Sequence, residues 1–583
     1  MNNFNNDEIH LKQGNIYRTK GEYDLALKEF ELVIREKPHN EAAWLELGKT
    51  YKMMDRCPEA IQKFIQAVRI NPKNEEAIME LGETSRLSDN CEPAMAEFRE
   101  IINRDCTNEY AHIELGKTYQ KITSYDAALE ELNKAYAVNP YNSKTLFGLG
   151  QVYKSKGKRK EAIEKFKDAI KIDPNDKDAR VELGKIYQEQ NDYAAATEEV
   201  KSAVNISPLD TKIRLNLIQL YVQQNKYDLS EKEAQKTLEV VPKDSFLQDW
   251  MLNEIEILQR KTVLKSKIKR LWVTVTTRCN IRCRTCGLWS NPWDLPRKTA
   301  DEVIELFPYL ERVVWLGGEV FLYKFFDELF QKGLAFPHLQ QQIITNGVIL
   351  NEEWIKKILK AGAELTISVD GTTKDVYEYI RTGASFEKLI ENIRIVNELR
   401  QKYHSKTKIR MNTLIMKSNY HQIEEFVDFA KRYNFDQLSL LAVHFDEDPA
   451  ENILYSKKDD QAMEYITAAI PKVRQKAKAY NIDLDILLPT EDLKFDEFDE
   501  QNKKTASSNE GTLHCKMPWK YLFICDDGKV YLTGSCIKTI GNIYESSIDE
   551  IWNSQQAQFY RESMLKNQFQ GLCRPECMTR WEV

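Results

Sequence analysis

Cys279, Cys283 and Cys286 stand together in the run CNIRCRTC, at CxxxCxxC spacing. That spacing gathers three thiols onto one short loop. Three thiolates leave a tetrahedral zinc ion one ligand short, and a cubane iron–sulfur cluster needs four. A cluster held by this set keeps one iron open to a ligand from outside the protein. A zinc knuckle completed by a histidine or a distant cysteine is the alternative. Five further cysteines, Cys515, Cys525, Cys536, Cys573 and Cys577, fall near the end of the chain. Four of them, without Cys525, suffice for a second cluster or for structural zinc, which residue type alone does not separate. Cys525, in a strand beside a turn, reads as a core residue, and Cys57, Cys91 and Cys106 as ordinary buried thiols.

Leu271–Thr277, LWVTVTT, is β-branched and aromatic and reads as a strand, so the three thiols leave its carboxyl end. From there strands and helices alternate. Strands are predicted at 271–277, 312–316, 341–345, 364–369, 408–415 and 436–442, and helices at 299–310, 324–334, 351–361, 385–403, 420–433 and 457–480. Six such units imply a parallel sheet with its ligand site at the carboxyl ends of the strands. The residues ending those strands are therefore the candidate site. They are Gly317-Gly318-Glu319 after the second strand, Thr345-Asn346-Gly347 after the third and Ser368-Val-Asp370-Gly371 after the fourth, with Asn412 on the fifth. Turn punctuation is the plain reading of Asn346 and Asp370, and a surface ion pair that of Arg381. Trp289 and Trp293 follow the thiol loop and are given no role.

Upstream, residues 7–244 repeat seven times with a period of 34, as 7–40, 41–74, 75–108, 109–142, 143–176, 177–210 and 211–244. Position 8 is glycine in the first six repeats (Gly14 to Gly184), position 20 is alanine in the same six (Ala26 to Ala196), and position 32 is proline in all but the third, where Cys106 stands. Small residues let paired helices approach closely, and proline ends the second helix. Period and residue types resemble the tetratricopeptide repeat, an all-α superhelix. Residues 245–263 read as its capping helix and 264–270 as a solvated linker; 496–512 reads as a flexible crossing to a last domain at 513–583.

The chain has 583 residues, 42% hydrophobic and 30% charged, with net charge −7. That describes several soluble globular domains and gives no support to nucleic-acid binding. The polar start and the lack of any long apolar run predict neither export signal nor membrane span, and the cysteine usage predicts a reducing, cytoplasmic setting.

CxxxCxxC followed one β/α unit later by Gly-Gly-Glu resembles the radical S-adenosylmethionine (SAM) superfamily. The resemblance implies a partial (β/α)6 barrel at 271–495 and a [4Fe–4S] cluster on Cys279, Cys283 and Cys286. It also implies SAM on the open iron, reductive cleavage to a 5′-deoxyadenosyl radical, and hydrogen abstraction from a substrate. It assigns Gly317, Gly318 and Glu319 to the SAM ammonium and Ser368 to its ribose or carboxylate. Arg381 falls to the carboxylate, Asn412 to the site, and the electron donor is expected to be a flavodoxin or ferredoxin. Two departures are visible: Thr285 replaces the usual aromatic before the third cysteine, and Val320 the usual proline. The tail, with CxxPW at Cys515–Trp519, the Asp527-Gly528 turn, Gly-Asn-Ile, Ile-Trp-Asn and the closing cysteine pair, resembles the SPASM and twitch extensions. That likeness implies a small α+β domain with one auxiliary [4Fe–4S] cluster, or zinc, on Cys515, Cys536, Cys573 and Cys577. Relatives modify peptides and proteins, and some act on small molecules.

The repeats favour a peptide or protein substrate. A sugar or other small metabolite, with the repeats recruiting a partner, is the second reading, and a non-catalytic scaffold the third. Position 5 of the repeats, Leu11, Leu45, Met79, Ile113, Phe147, Val181 and Leu215, predicts an apolar stripe in the groove. Positions 9 and 12 carry Arg18, Lys49, Lys52, Arg86, Lys117, Lys154 and Lys185 against the single acid Glu83, which predicts an extended acidic partner.

Overall fold

The computed structural model describes residues 6–88, 91–403, 405–442, 451–452, 459–488, 515–533, 536, 538–566, 568 and 572. Cys573, Cys577 and the predicted crossing at 496–512 lie outside them. The chain divides into two compact units, Met1–Lys226 and Tyr227–Val583. The second helix of the seventh repeat, Tyr227–Val240, falls in the second unit.

In the first unit, thirteen helices among the described residues run from Asn6–Thr19 to Thr211–Gln223. Each repeat after the first opens on a side-chain cap at the last position of the one before. Asn40, Asn74, Asn108, Asn142, Asp176 and Asp210 accept from amides two or three residues on, each cap being worth ~1 kcal/mol. The position-8 glycines are sites of contact. A Cβ on Gly48 would lie 2.5 Å from the Phe64 ring, and one on Gly150 2.7 Å from Phe166. The position-20 alanines, from Ala26 to Ala196, are fully buried. Cys106 departs from expectation: it is exposed, because it sits in the inter-repeat turn where its neighbours carry proline.

The second unit is built on one sheet. Its strands are β1 (Arg270–Thr276), β2 (Arg282–Cys283), β3 (Arg312–Gly317), β4 (Gln340–Thr345), β5 (Glu364–Ser368), β6 (Arg381–Thr382), β7 (Ile409–Ile415), β8 (Gln437–Ala442), β9 (Asp483–Leu487), β10 (Tyr521–Ile524), β11 (Lys529–Tyr531) and β12 (Gly541–Asn542). The order is β12-β11-β10-β1-β3-β4-β5-β7-β8-β9, with β2 and β6 forming a separate pair. Within the ten-stranded sheet every neighbour from β10 to β9 is parallel, and β10-β11-β12 are antiparallel. The six predicted strands are all present. β9 extends them beyond the predicted set, and β10 continues the sheet at its other edge, so the C-terminal hairpin is joined to the barrel sheet.

Period-2 alternation sorts the two faces. Along β7, Ile409, Met411, Thr413 and Ile415 are buried, whereas Arg410, Asn412 and Leu414 are half-buried. Val313, Trp315, Ile343, Leu365, Ile367, Leu438 and Leu440 build the same core. Helices Arg297–Leu306, Phe326–Gly333, Glu352–Ala361, Phe386–Lys402, Ile423–Arg432 and Asp460–Tyr480 follow β2, β3, β4, β6, β7 and β8 in sequence.

The segment 264–270 is not a solvated linker. Leu264, Ser266, Ile268 and Lys269 are buried. They are tied on one side to the helix Ser245–Leu258: Glu256 accepts from the Lys265 and Ser266 amides, and Asp249 pairs with the Lys269 ammonium. On the other side they meet the C-terminal segment. Trp552 Nε1 donates to Ser266 O at 3.0 Å, and Asn553 and Leu264 exchange two hydrogen bonds. Arg561, fully buried, donates to the carbonyls of Pro518, Thr262 and Trp552 and lies 4.6 Å over the Trp552 ring. Polar sequence hid this because the partners of Lys267, Lys269 and Arg561 lie elsewhere in the chain.

Candidate active site

The thiol loop leaves β1 and returns before the helix at 297, pinned at its base. The Thr277 amide donates to Trp293 O at 2.9 Å, Thr277 Oγ1 to Asn291 O at 2.8 Å, and Thr276 Oγ1 to the Asp294 carboxylate at 2.6 Å. Further out, β2 pairs antiparallel with β6, which sets Cys283 opposite Arg381. Arg284 donates to Tyr379 O and stacks 3.9 Å over the Tyr379 ring. The two tryptophans given no role are part of this frame: the Trp293 main chain closes the base, and Arg282 lies 4.7 Å over Trp289.

The strand ends converge on this loop. Gly317 has φ +145°, which side-chain-bearing residues rarely adopt, and a Cβ there would sit 2.1 Å from Thr276 O. A Cβ on Gly318 would lie 2.4 Å from Arg278 O. The Gly318 and Glu319 amides donate to Thr276 O and Arg278 O. The glycines let this turn lock onto the backbone that leads into Cys279, a structural demand separate from ligand approach.

Glu319 is fully buried. Its carboxylate accepts from Thr345 Oγ1 at 2.8 and 2.9 Å and from the Asn346 amide at 3.0 Å. Burial pushes its carboxyl up to about 7, against the pull of those donors. Asn346 in turn donates to Asn280 Oδ1 at 2.9 Å and lies 3.7 Å from Cys279 Sγ. Asp370 holds Arg381 in a buried ion pair at 2.7 Å, not a surface one, and Arg381 Nη1 lies 4.0 Å from Cys283 Sγ. Burial works against the Arg381 charge, but Asp370, Cys283 and Tyr377 together offset it and the guanidinium is held charged. Ser368 and Asn412 face one another in register across β5 and β7, with Ser439 next in the row on β8. Asn346 and Asp370 thus join the site; their place at strand ends was the only sequence signal for them.

The three thiols are half-buried. Among the described residues no three His, Cys, Asp or Glu side chains, these thiols included, come together as a group of metal ligands. Burial pushes the Cys279 thiol up against the Ile281 amide, and the Cys283 thiol up to about 11 against Arg381. The surroundings nevertheless suit thiolates. Asn346 and Arg381 lie within reach of two sulfurs, and Arg381 Nε, Tyr377 Oη and Trp289 Nε1 are buried without a partner. A loop with three sulfurs and spare buried donors fits an iron–sulfur cluster.

At the other edge, Cys515 is half-buried and Cys536 is buried, 3.5 Å from Thr533 Oγ1. Cys525 follows β10 at the turn, where its carbonyl accepts from the Gly528 amide; it is half-buried rather than mid-strand core.

In the first unit, all seven groove cations are paired. Position 6 supplies the acids. Glu46 meets Arg18 and Lys49, Glu80 meets Lys52, Glu114 meets Arg86 and Lys117, and Glu182 meets Lys154 and Lys185. Glu76 and Glu83 add further pairs. The predicted positive field is therefore largely cancelled, because counting positions 9 and 12 left out position 6, whose acids lie one helical turn from position 9 and, in the next repeat, against position 12. The apolar stripe is present but recessed: Leu45 and Ile113 are buried and the other five half-buried.

Among the described residues, no helix is long and apolar enough to cross a membrane. Residues 273–430 match the radical SAM superfamily, and 515–578 an iron–sulfur cluster-binding domain, SPASM. Residues 11–75, 150–191 and 178–208 match tetratricopeptide repeats. The chain is 28% identical over 180 residues to the GTP 3′,8-cyclase of Clostridium botulinum, across 29% of this chain and 54% of that one. It thus spans about half the length of these relatives. It is 25% identical over 319 residues to the tungsten-containing aldehyde ferredoxin oxidoreductase cofactor-modifying protein of Pyrococcus furiosus, across 50% of this chain and 83% of that one. Streptococcus suis SuiB bound to precursor peptide SuiA is 16% identical, with a TM-score of 0.42, across 61% of this chain and 87% of that one. The chain carries tetratricopeptide repeats, a radical SAM domain and a SPASM iron–sulfur cluster-binding domain.

Proposed function

We propose that this enzyme abstracts a hydrogen atom from a peptide or protein substrate recognised by its repeats. The observation that carries the catalytic half is the convergence of the Gly317-Gly318-Glu319 turn, Asn346 and Arg381 on the loop of Cys279, Cys283 and Cys286. When bound there, a [4Fe–4S] cluster supplies the electron that cleaves SAM to 5′-deoxyadenosine's radical. The protein's part is to hold and orient. The three cysteines ligate the cluster. Asn346 and Arg381 support the sulfurs of Cys279 and Cys283, and Asp370 fixes Arg381. Glu319, on a turn that cannot move without breaking the 276–278 backbone contacts, accepts the SAM ammonium. Ser368 and Asn412, opposite one another on the open face of the sheet, take its ribose or carboxylate and border the substrate.

Cys515, Cys536, Cys573 and Cys577 are proposed to hold an auxiliary [4Fe–4S] cluster, with zinc the alternative. A flavodoxin or ferredoxin is the proposed electron donor, and the cytoplasm the setting. The peptide half rests on the repeats and their apolar stripe; with the groove cations paired, apolar and main-chain contacts replace acidic side chains as its basis. A small-molecule substrate is the second reading, favoured by the barrel's likeness to GTP 3′,8-cyclase.

The test uses extract from source cells grown in deuterated medium. Deuterium transferred to 5′-deoxyadenosine from the macromolecular fraction, and lost after protease treatment, supports the peptide reading. Transfer only from the protease-resistant small-molecule fraction refutes it.

A further inference from the structure

Asn346 carries more than its turn requires. It follows β4 in the turn Thr345-Asn346-Gly347, which is held from both sides. The Gly347 amide donates to Thr345 Oγ1 at 3.0 Å. Asn392, buried on the helix Phe386–Lys402, donates to the carbonyls of Gly347 and Val348 at 2.7 and 3.0 Å. Asn346 Oδ1 accepts from the Val348 amide at 2.9 Å, the closure two residues on that an Asx turn uses. Aspartate or serine would close this turn too. The turn therefore does not explain the side-chain nitrogen.

That nitrogen has a fixed direction. A flipped amide would set Nδ2 against the Val348 N–H, donor against donor. In its observed orientation Nδ2 donates to Asn280 Oδ1 at 2.9 Å and lies 3.7 Å from Cys279 Sγ, within hydrogen-bond reach of sulfur. Asn346 is buried, where an unmet N–H costs about 1–3 kcal/mol. Its two hydrogens thus have two partners, Asn280 and Cys279. Arg381 reaches Cys283 Sγ only at 4.0 Å and is committed to Asp370. We infer that Asn346 donates a hydrogen bond to the Cys279 thiolate and, as a positioning residue acting through that sulfur, sets the reduction potential of the cluster. The inference rests on the cluster assignment above. An N–H donor draws charge from the thiolate and stabilises the cluster once it has taken one electron from the reductant, while the proton stays on nitrogen. Losing the donor makes reduction harder.

The experiment is an EPR-monitored dithionite titration of anaerobically reconstituted full-length protein without SAM, wild type against Asn346→Ser and Asn346→Asp. Both variants keep a turn-closing oxygen and lose the N–H. The signal absent from the Cys279, Cys283 and Cys286 triple alanine variant identifies the cluster. Equal iron loading with Asn346→Ser harder to reduce by about tenfold, about 59 mV for one electron, and Asn346→Asp at least as hard, supports the inference. An unchanged potential in Asn346→Ser at equal loading overturns it, and a shift confined to Asn346→Asp does the same, since that is added charge alone. Wild-type protein labelled with 15N in its asparagine side chains gives a readout that needs no loaded variant. A 15N hyperfine coupling to the reduced cluster supports the bond, and its absence overturns it. Wild-type protein that loads no cluster on those cysteines overturns the cluster assignment and this inference together.

Discussion

Glu319→Gln isolates the electrostatics of the site. The carboxyl is fully buried and its folded-state value lies near 7 against an ordinary 4.5. A raised carboxyl means the folded state holds its proton longer than the unfolded chain. Its contribution is complete below pH 4.5 and is lost as the pH rises through 7. The full shift is worth about 3 kcal/mol, and the window from pH 5.5 to 8.5 captures about 2 kcal/mol of it. Glutamine fits the same bonds, its oxygen accepting from the Asn346 amide and its amide donating to Thr345 Oγ1. The variant of the cofactor-free protein should therefore gain about 2 kcal/mol relative to wild type between those two pH values. Paired urea unfolding by tryptophan fluorescence reads this directly, because of ten tryptophans only Trp44 precedes residue 227. A difference between the two proteins that is flat with pH would refute the burial argument.

Asp249→Ala should destabilise the second unit by about 3–5 kcal/mol, since it leaves the buried Lys269 ammonium unpaired; loss of only a few tenths in urea unfolding would contradict that. By the same logic a fragment starting at residue 264 should aggregate where one starting at 227 folds, checked by gel filtration. Lys49→Glu with Lys52→Glu should lower the melting temperature of the repeats, because both lysines bridge two glutamates each. An unchanged melting temperature would return them to a free role in partner binding.

What was legible in the sequence was whatever is local. Spacing revealed the thiol loop, period-34 residues the helix pairs, and β-branched runs the strands β1, β3, β4, β5, β7 and β8. Asn40 and its counterparts cap their helices with contacts two or three residues away, which any reading by propensity anticipates. What stayed hidden depends on distant partners. Lys267 and Lys269 look solvated until Asp549 and Asp249 are brought to them. The groove cations look free until position 6 of the same and of the next repeat is counted. Strand β10 reads as a lone hairpin arm, yet its edge is covered by β1, some 250 residues earlier in the chain. Asn346 and Asp370 look like turn residues because a turn is also what a site at strand ends requires.

The central claim is that Cys279, Cys283 and Cys286 hold the cluster that cleaves SAM. Iron, sulfide and 5′-deoxyadenosine are measured together on anaerobically reconstituted, dithionite-reduced protein, wild type against the triple alanine variant. The account predicts two four-iron clusters and SAM cleavage in the wild type, and one remaining cluster with no cleavage in the variant. Cleavage that survives the triple substitution, or wild-type protein holding zinc and no iron at these cysteines, would contradict it.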